Sequence, residues 1–158
     1  MVRDKRSTAA LELEAFLPYR LSVLSNTVST AIASVYEQRF RLSIPEWRVM
    51  AILGRYPGLS AAEVAERTAM DKVAVSRAVA RLLKSGRILR RLHDTDRRRS
   101  QLSLSEDGEA VYRQVAPQAL ALEGELLEVL DEAERAAFSD ILARLMERAV
   151  AMRVRNRR

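Results

Sequence analysis

The chain of 158 residues contains no cysteine and a single histidine. The first absence excludes disulfides, thiolate metal sites and thiol-based redox sensing, and it suits a reducing compartment. The second leaves a histidine-built metal site without ligands. Aromatic residues are scarce, at 5%, too few for the stacked-ring surface that holds single-stranded nucleic acid. Long apolar runs are also missing. The N-terminal MVRDKRSTAALELEAF is charged throughout and lacks the apolar core of an export signal. The longest uncharged run, Leu21 to Tyr36, falls short of the ~20 residues that span a bilayer and is rich in Ser, Thr and Asn. A cytoplasmic protein is expected, with no membrane partner. No glycine-rich phosphate loop, nucleophile–base pair or metal cluster is visible, and His93 stands in a turn. The expectation is therefore of no cofactor and no enzymatic activity.

Apolar residues make up 48% of the chain, enough for one real core. The charge is unevenly spread. Residues 71–100 hold ten basic and three acidic side chains, a net of +7 that exceeds the +6 of the whole chain. Residues 101–150 reverse this, with four basic and eleven acidic. A basic block of this size is the footprint of a nucleic-acid surface, unless it is simply a solvated face.

The pattern inside the block decides. Apolar residues recur at helical spacing from about Ala9 to Arg39, with Pro18 marking a break or a first turn. "SIPE" at Ser43 and "SAAE" at Ser60 are capping boxes that open two further helices, the second ending near Thr68. "YPGLS" between them is a turn. Asp71 caps a fourth helix, "KVAVSRAVARLLKS", which Gly86 stops. A strand "RILRRL", a turn "HDTDRRR" and a strand "SQLSLS" follow. "SEDG" opens a long helix from about Asp107 to Leu130 with Pro117 inside it. "DEAE" at Asp131 opens the last helix, to about Met152. Residues 60–105 thus run helix, short turn, helix, hairpin, the order of a winged helix-turn-helix.

At about 100° per residue, Val75, Ala78, Val79 and Leu82 fall on one face of the fourth helix, between about 240° and 340° from Lys72. Lys72, Val73, Ser76, Arg77, Ala80 and Lys84 fall on the other, with Arg81 at its border. Small residues let such a helix sit deep in a major groove, and Ser76 and Arg77 suit base edges. No acid occurs between Asp71 and Asp94, whereas a merely solvated helix would carry mixed charges. In the hairpin, Leu102 and Leu104 alternate with Gln101, Ser103 and Ser105, so one face packs and the tip projects. The tip carries Arg97, Arg98 and Arg99, which suit phosphates and the minor groove. Asp96 can orient Arg98 by a charge-assisted hydrogen bond.

The segments "FLPYRLSVLSN", "IPEWRVMAIL", "PGLSAAEVAERTAMDKVAVSRAVARLLKSGRILR" and "DRRRSQLSLSEDG" resemble the MarR family of bacterial transcriptional regulators over nearly the whole chain. The resemblance implies a homodimer formed through the N- and C-terminal helices, bound to a palindromic operator and usually repressing. It places Ser76 and Arg77 at recognition-helix positions and Asp96 and Arg98 at the wing pair. It also implies release from DNA by a small aromatic or phenolic compound held between the dimer helices and the DNA-binding lobe. The redox-sensing branch uses a cysteine in the first helix, which this chain lacks.

The expected fold class is mostly α with a small β-hairpin wing: a winged helix-turn-helix lobe, 43–105, plus a helical dimerisation region, 9–42 and 107–152, within one domain of residues 1–158. The C-terminal helices carry Val111, Val115, Leu126, Leu127, Phe138, Ile141, Leu142 and Leu145, more apolar surface than a small lobe covers alone. A second copy would bury it, and so would an extra intramolecular layer. Tyr19, Arg20, Asn26, Tyr36, Trp47 and Arg48 lie in the elements that wall the family's cleft. Arg20, with aromatic and aliphatic neighbours, suits a small aromatic or pyridine carboxylate. It suits equally a pairing with an acid such as Glu46, and Trp47 suits the core. The expected function is a homodimeric, effector-responsive repressor on double-stranded DNA. The alternatives are a winged-helix protein–protein module and a ligand-independent DNA-binding protein.

Overall fold

A computed structural model describes residues 11–92 and 100–155. Among them the order is α1 (Leu17–Ala33), α2 (Glu37–Phe40), α3 (Ile44–Arg55), α4 (Ala61–Thr68), α5 (Lys72–Lys84), β1 (Ile88–Leu92), β2 (Ser100–Leu104), α6 (Glu106–Leu127) and α7 (Glu132–Arg155). The chain forms two compact units that divide after Pro117, inside α6.

The first unit holds the core. Val49, Met50 and Leu53 of α3, Val64 of α4, Val75, Val79 and Leu82 of α5, Ile88 and Leu102 of the hairpin and Val115 of α6 are all buried. Val111 is buried with them. This pair from α6 therefore closes the lobe's own core and is not part of the uncovered apolar surface expected from the sequence. In the second unit, α7 buries none of its residues, and Phe138, Ile141, Leu142 and Leu145 are exposed along it.

Within the segment of helical spacing from about Ala9 to Arg39, the described residues form α1 and the short α2. Pro18 sits in the first turn of α1, where its missing N–H costs nothing. Residues before it form turns, with the Ala15 N–H donating to the Glu12 carbonyl and Phe16 to Leu13. After Ala33 the chain tightens, as Val35 donates to the Ile32 carbonyl and Tyr36 to Ala33. Tyr36 is 1% exposed. Its ring stacks on Trp47 with centroids 5.4 Å apart, and Trp47 stacks in turn on Tyr112 at 6.0 Å. Drawing Tyr36 into this stack ends the helix that periodicity alone would continue.

The capping boxes form as expected. The Ser43 N–H donates to the Glu46 carboxylate at 2.8 Å, and Ser60 does the same with Glu63. Asp131 and Glu134 cap α7 reciprocally at 2.9 and 2.8 Å. Ser105 ties the hairpin's exit to the helix before it. Its hydroxyl donates to the Gly86 carbonyl at 2.6 Å and accepts from the Gly108 N–H at 3.0 Å, while its own N–H reaches the Arg87 carbonyl. A Cβ at Gly108 would lie 1.9 Å from that Arg87 oxygen, so only glycine fits.

β1 and β2 pair antiparallel, with Ile88 opposite Leu104 and Arg90 opposite Leu102. β2 has a second neighbour. Gly58 donates to the Leu102 carbonyl at 2.9 Å and Leu102 to the Leu59 carbonyl at 2.7 Å. The "YPGLS" segment is therefore a turn at its start and a β-bridge at its end, which anchors the hairpin to the lobe on both sides.

Candidate nucleic-acid interface

The path from α4 to α5 is set by three residues. Thr68 ends α4 buried, its hydroxyl donating to the Val64 carbonyl at 2.9 Å. Ala69 then takes the left-handed conformation, with φ 52°, turning the chain sharply. Asp71 starts α5 by accepting from the N–H groups of Val73 and Ala74, each at 2.9 Å. Once started, α5 buries Val75, Ala78, Val79 and Leu82, the face that the 3.6-residue period selects. α5 packs by this face on α3 and α4.

Its other face is open. Lys72, Val73, Ser76, Arg77, Ala80, Arg81 and Lys84 are all exposed. Among the described residues, none of the four cations here has an ion pair or a side-chain hydrogen bond. Their charge is therefore uncompensated and turned outward. A groove of about 410 Å³ runs beside this face, lined by Ala61 and Ala65 of α4, Lys72, Ser76 and Ala80 of α5, and Arg90 of β1. A second, of about 220 Å³, lies between Ser43 and Pro45 at the start of α3 and Arg77 and Arg81 of α5. Val75, Val79 and Leu83 line the first groove together with these small residues, and Lys72 and Arg90 bring positive charge to it, a setting suited to a polyanion.

Arg90 was not singled out from the sequence. Its signal lay in "RILRR", where strand alternation puts it and Leu92 on one face. Asp96, Arg97, Arg98 and Arg99 lie outside the described residues. β2 follows the expected alternation, with Leu102 and Leu104 buried and Gln101 exposed, whereas β1 buries only Ile88.

The residues singled out for a small ligand divide into two sets. Tyr36 and Trp47 belong to the aromatic stack, with Tyr112 as a third ring that the sequence did not flag. Burial, reinforced by Glu37 and opposed by Arg48, pushes the Tyr36 phenol up to about 12, so it stays a neutral donor. Arg48 is half-buried and donates to the Ser29 hydroxyl at 3.0 Å, joining α3 to α1. Tyr19, Arg20 and Asn26 lie on the exposed part of α1. Glu46 is held by its capping box and not by Arg20.

Among the described residues, no cluster of side chains suits a metal ion and no helix is long and apolar enough to cross a membrane. A model of the MarR family matches residues 42–99. An HTH-type transcriptional regulator of Bacillus cereus is 27% identical over 118 residues, spanning 74% of this chain and 78% of that protein. Among solved structures, a MarR/EmrR family transcriptional regulator from Acinetobacter sp. ADP1 superposes with a TM-score of 0.81 at 26% identity, over 89% of this chain and 99% of that one. The PcaV transcriptional regulator from Streptomyces coelicolor, solved in complex with its natural ligand, superposes with a TM-score of 0.75 at 25% identity over the same shares.

Proposed function

We propose that the chain is a DNA-binding transcriptional regulator of the MarR family, whose model matches residues 42–99, and that it acts as a homodimeric repressor, released from a palindromic operator by a small aromatic or pyridine carboxylate. The observation that carries the reading is the outward face of α5, which is acid-free and cationic and, among the described residues, pairs with no acid. Lys72, Val73, Ser76, Arg77, Arg81 and Lys84 are the proposed recognition surface, and Asp96, Arg97, Arg98 and Arg99, outside the described residues, are the proposed further DNA contacts. Arg77 is the side chain suited to a bidentate fork on guanine, and Lys84 is suited to a phosphate.

Dimerisation is supported by what each unit leaves uncovered. Leu17, Leu21 and Leu24 of α1 are exposed in one, and Phe138, Ile141 and Leu145 of α7 in the other. Exposed apolar rows of this length call for a partner, and a second copy supplies it with a twofold axis. Twofold symmetry sets two recognition helices ~34 Å apart, one DNA turn, and so requires a palindrome. On this reading 43–105 supply the DNA contacts and 9–42 and 107–152 supply the dimer contacts, except that Val111 and Val115 of α6 close the core of the first unit.

The effector reading rests on chemistry and on one relative. PcaV has a natural ligand. Tyr36 and Trp47 are engaged in the aromatic stack and Arg48 bonds Ser29, while exposed Arg20, with Tyr19 and Asn26 on the same helix, offers a cation, a ring and an amide. A flat carboxylate matches that set. Its binding would fix the angle between dimer helices and lobe, and a tenfold loss of DNA affinity needs a coupling of only ~1.4 kcal/mol. Three measurements test the proposal together. Sedimentation should give twice the chain mass. A gel shift on the DNA upstream of its own gene should weaken steeply with salt. A panel of aromatic acids should include one that displaces the parent from DNA but neither binds nor displaces Arg20→Ala. A monomer that binds no such DNA, or an inducer that acts equally on Arg20→Ala, overturns it.

A further inference from the structure

We propose that each half of the operator carries a thymine whose 5-methyl group packs against Val73. The inference rests on the DNA-regulator reading above and adds the identity of one base that α5 reads. Val73 is 59% exposed, and among the described residues it is the only large hydrophobic side chain of α5 left in solvent. It is also β-branched, which the interior of an isolated helix mildly disfavours. Its position is specific. The buried residues of α5 centre at about 290° from Lys72 and Val73 lies at about 100°, diametrically opposite. It therefore crowns the outward face, with exposed Ser76 on one side and exposed Arg77 on the other.

The capping of α5 decides how this turn meets DNA. Asp71 takes the N–H groups of both Val73 and Ala74. Those amides are not available to a phosphate, so the first turn contacts DNA through side chains. Residues at the start of a recognition helix are the ones that address base edges. In the major groove, guanine, adenine and cytosine present polar donors and acceptors, and thymine alone presents a methyl group. An isopropyl group pressed on a polar edge would leave that edge dry and unpaired. Pressed on a thymine methyl, it buries apolar surface on both sides. The partner is duplex DNA and not an apolar protein surface because no acid lies between residues 71 and 94 while seven cations do, and because the residues beside Val73 are cationic or hydroxylic.

Deoxyuridine tests this directly, since it deletes the methyl group and leaves base pairing intact. The full chain is used to enrich binding duplexes from a pool with a randomised centre. Each thymine of the enriched sequence is then replaced in turn, and affinity is measured for the parent and for Val73→Ala. Alanine raises helix propensity at this exposed site, so the variant keeps its fold. One thymine per half-site should be sensitive, its replacement weakening the parent by about 4-fold, the worth of burying one methyl group. Val73→Ala should bind the thymine and deoxyuridine duplexes with equal affinity. Tolerance of deoxyuridine at every thymine overturns the proposal, as does a penalty that persists in Val73→Ala. A pool that yields no enriched duplex overturns the DNA-regulator reading as well, whereas enrichment with deoxyuridine tolerance overturns the methyl contact alone.

Discussion

Replacing Gly54 with alanine places a methyl group where the Tyr112 ring already lies. The added Cβ would sit 2.7 Å from Cε2 and 2.9 Å from Cδ2 and Cζ of that ring, well inside contact distance. A ring that retreats changes its stack on Trp47, now at 6.0 Å. Two terms oppose each other. Overpacking costs about 2 kcal/mol, mid-range for an inserted methyl. Glycine to alanine inside a helix returns about 1 kcal/mol. The net expectation is a loss of about 1 kcal/mol. With Tyr112→Ala as background the clash vanishes and only the helix gain remains, so the same change should stabilise by about 1 kcal/mol. Urea unfolding of the four proteins measures the cycle. Trp47 is the only tryptophan, so its fluorescence reports the loosened stack directly. Stabilisation of the parent by Gly54→Ala, with unchanged emission, would refute the reasoning.

Gly108→Ala should cost more, about 3 kcal/mol or more, because the obstacle at 1.9 Å is the Arg87 carbonyl and not a movable ring; a midpoint in urea like the parent's would contradict this. Ala69→Gly should stabilise by about 0.5–1 kcal/mol, since Ala69 holds φ 52° at a cost that glycine avoids; thermal unfolding checks it. The Tyr36 phenol, raised to about 12 by burial, binds its proton more tightly in the folded chain than in the unfolded one at 10.0. Its contribution to stability is therefore complete below pH 10 and lost as pH rises toward 12. An absorbance titration of the tyrosines should show one late phenol, which Tyr36→Phe removes.

The buried and outward faces of α5 could be read from the sequence because the helix obeys a single period. Val75, Ala78, Val79 and Leu82 recur at helical spacing and are the residues it buries. Ser43, Ser60 and Asp131 marked helix starts for an equally local reason, a side chain three residues away closing the cap. Where long-range packing decides, sequence reasoning fell short. The break after Ala33 follows from Tyr36 entering a stack with Trp47 and Tyr112, residues far away in the chain. The bridge of Leu59 to Leu102 also joins residues distant in sequence and has no local signature. Val111 and Val115 show the same limit. Periodicity marked them as apolar and did not say whether this lobe or another copy would cover them.

On the proposed reading, Arg77 on the outward face of α5 contacts bases and Lys84 holds phosphate. Binding of Arg77→Ala and Lys84→Ala to an operator duplex and to random duplex, across a salt series, tests it most directly. Arg77→Ala should lose about 1–3 kcal/mol on the operator and little on random DNA. Lys84→Ala should weaken both alike and lower the salt slope by about one contact. Equal losses of operator preference from the two changes would contradict the claim.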